Sequence, residues 1–265
     1  IDSFFDSWQE LSANPTDIVL RDIVIQQGTV LAERFNSTTM QLDEVQSNIS
    51  NKLVSGIEDV NAKLDQIAEL NDRIYNIEIT GQTANGARDQ RELLLQEMAQ
   101  TLGAESYELQ NGMVNVQLPA GLPLVNGNSS MEIEAITTVR DMELVLNAAS
   151  TTRPINEYNI GGEFAGLLEL KDAFIPSLEE DLDRLAYTVI EEVNAIHRAG
   201  AGLDGSTNIN FFEDPPNLNN PTVVPPDQPT AANWEHAART MQVSLSNAVE
   251  VAAAENPDPG NPVLV

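Results

Sequence analysis

The feature that most constrains the fold is a run of apolar residues, spaced three or four apart, between positions 42 and 77. A subset of them recurs every seven residues, as in a coiled-coil seam: Leu53, Val60, Ile67 and Ile74. A helix over this stretch has about 40 residues and a length of roughly 60 Å. An ordinary globular helix has only about 11 or 12 residues. We therefore expect a helical rod whose seam packs against a second long helix formed by residues 167–196.

Turn signals divide the chain on either side of this rod. Asn14-Pro15-Thr16-Asp17 predicts a turn followed by a helix, with Thr16 or Asp17 as the cap. Residues 80–87 interrupt the rod, and residues 88–102 predict a shorter helix. Asn111-Gly112 lies between alternating segments and is a strong hairpin signal, and a second Asn-Gly follows at 126–127. Residues 104–150 therefore predict a small β-unit.

Helical spacing resumes between Leu167 and Ile196, where Pro176 predicts a kink or a first turn. Beyond Gly205, six prolines from Pro215 to Pro229 predict loops. Residues 241–251 alternate weakly and fit either a strand or a short helix. The predicted fold class is α+β, mainly α: an elongated bundle of long helices with an inserted small antiparallel β-unit and a loop-rich C-terminal segment.

Four segments make up the predicted domain organisation. Residues 1–103 form the helical rod part of a core domain, and residues 104–155 form a β-rich insert with hairpins. Residues 156–205 form a long helix that returns to the core domain. Residues 206–265 form a proline-rich loop with a short strand or helix.

Composition excludes several classes of function. The chain has 13 Lys and Arg against 41 Asp and Glu, so its formal charge of −28 argues against nucleic acid or anionic membranes as partners. It has no cysteine, which excludes disulfides, thiolate zinc sites and a cysteine nucleophile. No apolar run of about 18 residues predicts a membrane span, and no signal peptide is predicted. The chain begins without Met inside an apolar segment, so we expect a fragment.

One of only two histidines stands at the end of the second helical pattern. His197 follows the last apolar position and precedes Gly200 by three residues. This predicts a helix C-terminus, with His197 near the last carbonyls and Gly200 as a left-handed cap. A catalytic base would need a nucleophile or an acid within reach. His236 stands in a separate loop-like region, so a two-histidine metal site is only weakly indicated.

Oxygen-bearing side chains follow this helix and loosely resemble a calcium loop: Asp204, Ser206, Asn208 and Asp214. No Glu stands at the twelfth position, where such loops carry a bidentate ligand. A tight turn at Asp204-Gly205 is the better interpretation.

Two further patterns also favour structure over chemistry. Glu179, Glu180 and Asp183 fall opposite an apolar stripe of Leu178, Leu182 and Leu185, which predicts a solvated helix face. Residues 161–166 contain a GGxxxG pattern, but no Val/Ile-rich strand precedes it, so a phosphate-binding loop is weakly indicated. We predict no catalytic residue, no metal and no cofactor.

Spaced motifs in the second helical segment resemble those of a known family. Val193-Asn194-x-x-His197-x-x-Gly200-x-x-Leu203-Asp204-Gly205, followed by Phe211-Phe212, resembles a signature of the bacterial flagellar hook-associated protein 1 family. The other stretches that look like this family are Gly161-Gly162-x-x-x-Gly166-Leu167-Leu168-x-x-x-Asp172, Asp89-Gln90-Arg91-x-x-Leu94-Leu95, Ile67-Ala68-x-Leu70-Asn71-x-x-Ile74, and Phe4-Phe5 through Leu11, Asn14-Pro15 and Arg21. They follow the family's order and cover most of residues 4–212.

The resemblance implies a structural protein of the flagellar axis, not an enzyme. It implies export through the flagellar type III pathway without a cleaved signal peptide, and an extracellular ring of subunits between hook and filament. The implied partners are the hook protein, the second hook–filament junction protein, further copies in the ring, and an export chaperone acting through a missing C-terminal region. No nucleic acid and no membrane are implied.

The resemblance also implies that the family's terminal helices are missing here at both ends. The chain departs from longer relatives after Phe211-Phe212, where a proline-rich connection replaces a substantial β-domain. The implied role of the motif residues is structural: Asp89, Gln90, Arg91, Gly161, Gly162, Gly166, Asp172, Asn194, His197, Gly200, Asp204 and Gly205.

Two other classes of function remain open from the sequence. A helical ligand-binding or sensor ectodomain without catalytic activity would dimerise through the heptad seam. An acid–base enzyme would act through His197 or the carboxylates.

Overall fold

A computed structural model describes residues 1–137, 142–148, 151–155, 159–215 and 234–255. Its fold is α+β and mainly α, which confirms the predicted class. The helices are α1 (Asp2–Ala13), α2 (Ile18–Glu78), α3 (Asn85–Leu102), α4 (Gly162–Glu169), α5 (Ile175–Ala199) and α6 (Ala237–Thr240), with a π-helical turn at Leu170–Phe174 and a 3-10 turn at Ala248–Glu250.

Three small antiparallel sheets accompany these helices. The first has the order β1 (Glu105–Glu108), β2 (Val114–Gln117), β3 (Pro123–Asn126) and β4 (Ser129–Ser130). The second consists of β5 (Glu132–Thr137), β6 (Met142–Ala148) and β7 (Thr151–Ile155), and the third pairs β8 (Gly200–Ala201) with β9 (Ala254–Glu255). Both Asn-Gly pairs connect antiparallel strands, as predicted.

Helix α2 has 61 residues, so the predicted length of about 40 residues was too short. It begins directly after the Asn14–Asp17 turn, where the Asp17 carboxylate accepts a hydrogen bond from Val19 N at 2.8 Å. Asp17 is therefore the predicted cap, and no break separates the helix predicted after this turn from the heptad run.

Two glycines inside α2 make room for aromatic rings. A Cβ atom on Gly28 would lie 2.6 Å from Phe211 Cε1, and one on Gly56 would lie 2.7 Å from Phe164 Cζ. Each glycine therefore lets a ring approach the helix backbone, at a cost in helix propensity that burial of the ring offsets.

Two compact units divide the chain: unit 1 comprises Ile1–Glu44 and Ser177–Val265, and unit 2 comprises Val45–Pro176. The boundary falls inside α2, whereas the sequence-based division keeps residues 1–103 together. Among the described residues, no helix combines the length and apolar composition that a membrane span requires.

The core of unit 2 forms on the heptad seam of α2. Buried side chains of α3, the first two sheets and α4 pack with Leu53, Val60 and Ile67 in one cluster. Leu168 is part of this cluster, but the buried residues of α5 are not. The expected packing of the seam against residues 167–196 is thus wrong beyond α4, because α3 and the sheets cover that face of α2.

The core of unit 1 joins α1, the first part of α2, α5 and the segment 234–255. Its buried members are Phe4, Leu11, Val24, Leu31, Ala32, Phe35, Ala186, Ile190, Val193, Phe211, Phe212, Ala237, Ala238, Met241, Leu245 and Val251. Val243 forms an isolated β-bridge with Phe212, and Ala248–Glu250 form the 3-10 turn, so residues 241–251 form neither a continuous strand nor an α-helix. All predicted loop prolines except Pro215 lie outside the described residues.

The buried face of α5 differs from the predicted one. Pro176 lies in the first turn, as expected. Leu178 and Leu185 are 43% and 46% exposed, however, and Asp183 is only 9% exposed. The stripe that includes Ala186 and Ile190 is buried instead. Asp183 can lie on this buried stripe because its carboxylate accepts hydrogen bonds from backbone N–H groups of another segment.

Candidate functional site: buried polar anchors

Asn194 anchors the Phe211-Phe212 segment to α5. Its side chain is fully buried. Its Oδ1 accepts hydrogen bonds from the backbone N–H groups of Phe211 and Phe212, each at 2.9 Å, and its Nδ2 donates to Phe212 O at 2.9 Å. One amide thus satisfies two donors and one acceptor of a segment that lies outside the named helices and strands and is otherwise paired through the isolated bridge between Phe212 and Val243.

His197 lies one turn further along α5 and uses both ring nitrogens. Nε2 accepts a hydrogen bond from Ala252 N at 2.9 Å, so Nδ1 carries the proton and donates to Ile209 O at 2.6 Å. The ring is 2% exposed and makes edge contacts with Trp8 and Phe211. Burial lowers the pKa of His197, which favours this neutral form. The histidine is an anchor for two distant segments.

Gly200 does not form the left-handed cap predicted for the end of α5. It stands in β8, opposite Glu255 of β9, and its φ is not positive. A Cβ atom there would lie 2.9 Å from Ala252 Cβ. The segment held by His197 thus approaches residue 200 so closely that a side chain there would collide with it. The prediction of Gly200 as a left-handed cap was wrong.

The turn at Asp204-Gly205 closes the same region. Asp204 Oδ1 accepts a hydrogen bond from Ser206 N at 2.9 Å, and Gly205 has a φ of +78°. Hydrogen bonds from Ser206 lower the pKa of Asp204. Leu203 N donates to Val249 O at 2.7 Å, which ties the turn to the segment 234–255.

Arg21 holds this segment from the side of α2. Its side chain is fully buried, and its guanidinium donates to Pro15 O at 2.8 Å and to Val251 O. Burial lowers the pKa of Arg21, and the Asp204 carboxylate opposes that shift. The acceptors of these two hydrogen bonds are thus backbone carbonyl oxygens and not a carboxylate.

The acidic cluster of α5 is not a uniformly solvated face, so that prediction was wrong. Asp183 accepts hydrogen bonds from His236 N at 2.8 Å and from Ala238 N at 2.9 Å, and it thereby holds the start of α6. Burial raises the pKa of Glu179. Glu180 pairs with Arg184 at 2.5 Å on the exposed side.

Unit 2 has an anchor of the same kind on α2 and α3. Asn71 is fully buried and pairs with both backbone groups of Val114, with Nδ2–O at 2.7 Å and N–Oδ1 at 3.0 Å. Its Oδ1 also accepts from Arg91 Nη1 at 2.7 Å, and the same nitrogen donates to Gly112 O at 2.9 Å. Burial lowers the pKa of Arg91. The two side chains fix the first hairpin to the helices.

Arg88 forms a more exposed network beside this anchor. It contacts both carboxylate oxygens of Glu78 at 2.7 Å and one oxygen of Glu108 at 2.8 Å. These hydrogen bonds raise the pKa of Arg88 and lower that of Glu78. Because the side chains are 34%, 26% and 51% exposed, solvent screening weakens their contribution to stability.

The glycine motif that precedes α4 packs against the end of α3. Gly161 N donates to Leu102 O at 2.7 Å. Gly162 has a φ of +60°, and a Cβ atom there would lie 2.3 Å from Gln100 O. Gly166 has no atom within 4 Å of such a Cβ. The first two glycines are thus required by backbone packing, whereas nothing in the structure requires the third.

The remaining motif residues are less involved in the cores. Asp89 and Gln90 are exposed on α3, next to the buried Arg91. Asp172 is exposed and forms an ion pair with Lys171, which is 4% exposed in the π-helical turn. The twelve motif residues do not form one site: some belong to the separate anchors of each unit, and Asp89, Gln90, Gly166 and Asp172 belong to none of them.

Asp183 and Asn36 are anchors that sequence reasoning missed. Asn36 Nδ2 donates to Ala238 O at 2.8 Å and to Arg239 O at 3.0 Å. Both side chains were assigned to solvent or left unassigned because their partners are 55 and 202 residues away. A polar residue in register with a buried stripe is the signal that could have found them.

These anchors are suited to holding a fold. Both nitrogens of His197 are occupied by backbone groups, so neither can act as a general base without breaking a structural hydrogen bond. In the part of the chain that the structure describes, no three His, Asp or Glu side chains gather as metal ligands would.

Sequence comparison gives a consistent family. The model described as "Flagellar hook-associated protein FlgK helical domain" matches residues 1–212. Flagellar hook-associated protein 1 of Bacillus subtilis (strain 168) is 28% identical over 246 residues, covering 80% of this chain and 47% of the relative. The Salmonella typhimurium (strain LT2) protein of the same name is 27% identical over 219 residues, covering 80% and 40%. None of these relatives is named as an enzyme.

Structural comparison agrees with this result. The flagellar hook junction protein FlgK from Burkholderia pseudomallei has a TM-score of 0.72 to this chain, with 23% identity over 80% of this chain and 39% of that one. At this identity the match concerns the fold. The chain spans less than half the length of the relatives it matches. Since the family model covers most of its residues, the chain belongs to the flagellar hook-associated protein FlgK helical domain family.

Proposed function

We propose that the protein is a structural component of the bacterial flagellum that forms the junction between hook and filament as an axial ring subunit. The observation that carries this proposal is membership of the FlgK helical domain family over residues 1–212. Relatives called flagellar hook-associated protein 1 support it at 27–28% identity.

The physical character of the fold supports a mechanical role. Asn71, Asn194 and His197 each bind backbone groups of other segments from a buried position. Fully satisfied polar groups in a low-dielectric interior specify one arrangement and resist local opening. A subunit that transmits load between two tubes needs this resistance, and it needs no reactive group.

The proposed partners follow from the position in the axis. They are the hook protein, the second hook–filament junction protein and further copies of the same subunit, which would meet through heterologous contacts in a ring. An export chaperone would act through a region outside this chain. The protein would leave the cell through the flagellar type III pathway without a cleaved signal peptide, and the absence of cysteine would ease passage as an unfolded chain.

We further propose that the family motifs act structurally and that residues 104–155 are an insertion in a helical core domain formed by 1–103 and 156–205. The strands β1–β7 fall between Glu105 and Ile155, which supports such an insertion. The anchors at Asn71 and Arg91 would then hold the insertion to its helices.

Deletion of the gene, followed by electron microscopy of the cells, tests the role. We expect hooks of normal length without filaments, with unassembled filament protein in the medium. A plasmid copy should restore filaments, and a copy with Asn194→Ala should restore them less well at raised temperature. Mutant hooks that still carry stable filaments would reject the proposal.

A further inference from the structure

The chain contains three Asn-Gly pairs, at positions 85–86, 111–112 and 126–127. In such a pair the backbone nitrogen of Gly can attack the side-chain amide carbon of Asn, because Gly has no side chain that hinders the approach. The attack closes a five-membered succinimide ring and releases ammonia, and water then opens the ring. All three pairs share this chemistry, so their surroundings in the fold decide which of them reacts.

The first hairpin holds the pair at 111–112 in place. Gly112 N donates a hydrogen bond to Leu109 O at 3.0 Å, and Gly112 O accepts one from Arg91 at 2.9 Å. The side-chain oxygen of Asn111 accepts a hydrogen bond from Met113 N at 3.1 Å. The attacking nitrogen and the attacked amide are therefore both occupied, and the reaction must first break these contacts.

The pair at 126–127 is held in a similar way. Gly127 N donates to Asn115 Oδ1 at 2.8 Å, and Gly127 O accepts from the fully buried Asn71 at 2.6 Å. Attack by the Gly127 nitrogen on Asn126 would break the first of these bonds and strain the second. The fold thus protects this pair as well.

The pair at 85–86 is free of such contacts. Asn85 is the first residue of α3, and both Asn85 and Gly86 are exposed. Within the described ranges, the Gly86 N–H and the Asn85 side chain have no hydrogen-bond partner. A Cβ atom on Gly86 would have no atom within 4 Å. Neither the nucleophile nor the amide is therefore held by a neighbouring segment.

The start of α3 also opens easily. In helical backbone geometry the Gly nitrogen does not face the Asn Cγ atom, so the first turn must open before attack. The cap residue Ala84 makes no side-chain hydrogen bond to the helix, and alanine is a poor cap. Gly86 weakens the turn further because glycine has a low helix propensity. Helix ends of this kind fray, so the reactive geometry requires little free energy here.

We propose that Asn85 is a site of spontaneous deamidation in the folded protein, whereas Asn111 and Asn126 are protected. The Gly86 nitrogen loses its proton and bonds to Asn85 Cγ, and the side-chain nitrogen leaves as ammonia. Water then cleaves one of the two carbonyl–nitrogen bonds of the ring. Cleavage at Cγ leaves aspartate at position 85, and cleavage at the main-chain carbonyl leaves isoaspartate. The inference does not rest on the proposed function.

The two products should act on α3 in opposite directions. The aspartate form places a negative charge in a first turn that has no acidic residue, and negative charge is favourable at a helix N-terminus. The isoaspartate form lengthens the main chain by one carbon between Ala84 and Ala87, which are both buried in a cluster with Ile74. The lengthened chain cannot keep both alanines in place, so this form should loosen the start of α3.

Incubation of the purified chain in water labelled with heavy oxygen tests the proposal. The label marks only deamidation that occurs during incubation, and mass spectrometry of the three peptides measures each rate and separates aspartate from isoaspartate. The matched control is the same chain unfolded in urea, where the three pairs should react at rates within about threefold of each other. In the folded chain, position 85 should react at least about tenfold faster than 111 or 126. The rate should rise with pH, because the attacking nitrogen must lose its proton.

Two variants test the role of the helix start. Gly86→Ala should slow deamidation at Asn85 at least about tenfold without lowering the melting temperature, because the φ of Gly86 is not positive and its surroundings are open. Ala84→Ser supplies a side-chain cap for the first turn. It should slow deamidation at Asn85 at least about threefold in the folded chain and leave the rate in urea unchanged.

Two results would overturn the proposal. The first is a rate at Asn85 in the folded chain that is no higher than the rates at Asn111 and Asn126. The second is a rate at Asn85 that Ala84→Ser leaves unchanged in the folded chain, because opening of the first turn would then not control the reaction.

Discussion

Replacement of Asn194 by Ala should remove the anchor of the Phe211-Phe212 segment at a large cost in stability. The change leaves two N–H donors and one carbonyl acceptor without partners in a site that is fully buried. Each unsatisfied buried group costs about 1–3 kcal/mol. Water that enters the space left by the amide relieves part of this cost. We therefore expect a loss of about 3–5 kcal/mol in the free energy of unfolding of unit 1.

Urea unfolding followed by the fluorescence of Trp8 and Trp234, which both belong to unit 1, measures this loss, and amide hydrogen exchange reports it at Phe211 and Phe212 directly. Gln26→Ala, at an exposed position of α2 within unit 1, is the control and should change stability by no more than about 0.5 kcal/mol. A loss below about 1 kcal/mol for Asn194→Ala, with unchanged exchange at both amides, would refute the assignment of Asn194 as an anchor.

The variant Asn194→Asp gives a second test of the same geometry. A carboxylate keeps the two acceptor contacts but places an oxygen against Phe212 O, to which the amide now donates at 2.9 Å. At neutral pH it should therefore be destabilising. When acid protonates the carboxyl group, it can donate to Phe212 O again. The stability deficit relative to the native protein should shrink as the pH falls, and a constant deficit would contradict this contact.

Three further predictions concern other anchors. Burial lowers the pKa of His197 from 6.5, so the unfolded state binds the proton more readily. The free energy of unfolding should therefore fall as the pH drops below about 6.5, by at most about 1.4 kcal/mol per pH unit. In urea titrations, His197→Gln should flatten that slope. Gly162→Ala should cost about 2 kcal/mol or more because of its positive φ and the backbone clash, whereas Gly166→Ala should raise stability by roughly 0.5–1 kcal/mol; equal melting temperatures would contradict the packing. Arg91→Ala should cost about 2–3 kcal/mol and Arg88→Ala about 1 kcal/mol or less, although Arg88 makes more contacts; the reverse order in chemical denaturation would show that burial does not decide their contributions.

Local signals in the sequence were sufficient for most element positions. Asp17 caps α2, the Asn-Gly pairs turn hairpins, and Pro176 lies in a first turn, because each of these effects acts within a few residues. The continuity of α2 was missed because the heptad recurrence that predicts the rod is recognisable only after Leu42. At Gly28 the ring of Phe211 packs against the backbone of α2. The two residues are far apart in the chain, and no local pattern in the sequence indicates that they are in contact.

The anchors were harder to predict because their partners are remote. His197 was correctly placed near a helix end, but its hydrogen bond to Ala252 spans 55 residues, and no local pattern indicates it. Asp183 was assigned to a solvated face because it falls opposite the apolar stripe of Leu178, Leu182 and Leu185. Its two backbone donors lie in the segment 234–255, which follows residues outside the described ranges.

Direct localisation of the protein tests the central claim of a junction subunit. A short epitope tag inserted between Gly81 and Gln82 lies in an exposed turn between α2 and α3, where an insertion leaves both helices intact. Immunogold electron microscopy of purified flagella should then place gold as a narrow band where the hook meets the filament. Gold distributed along the filament, or found only on cell bodies, would contradict the proposed function.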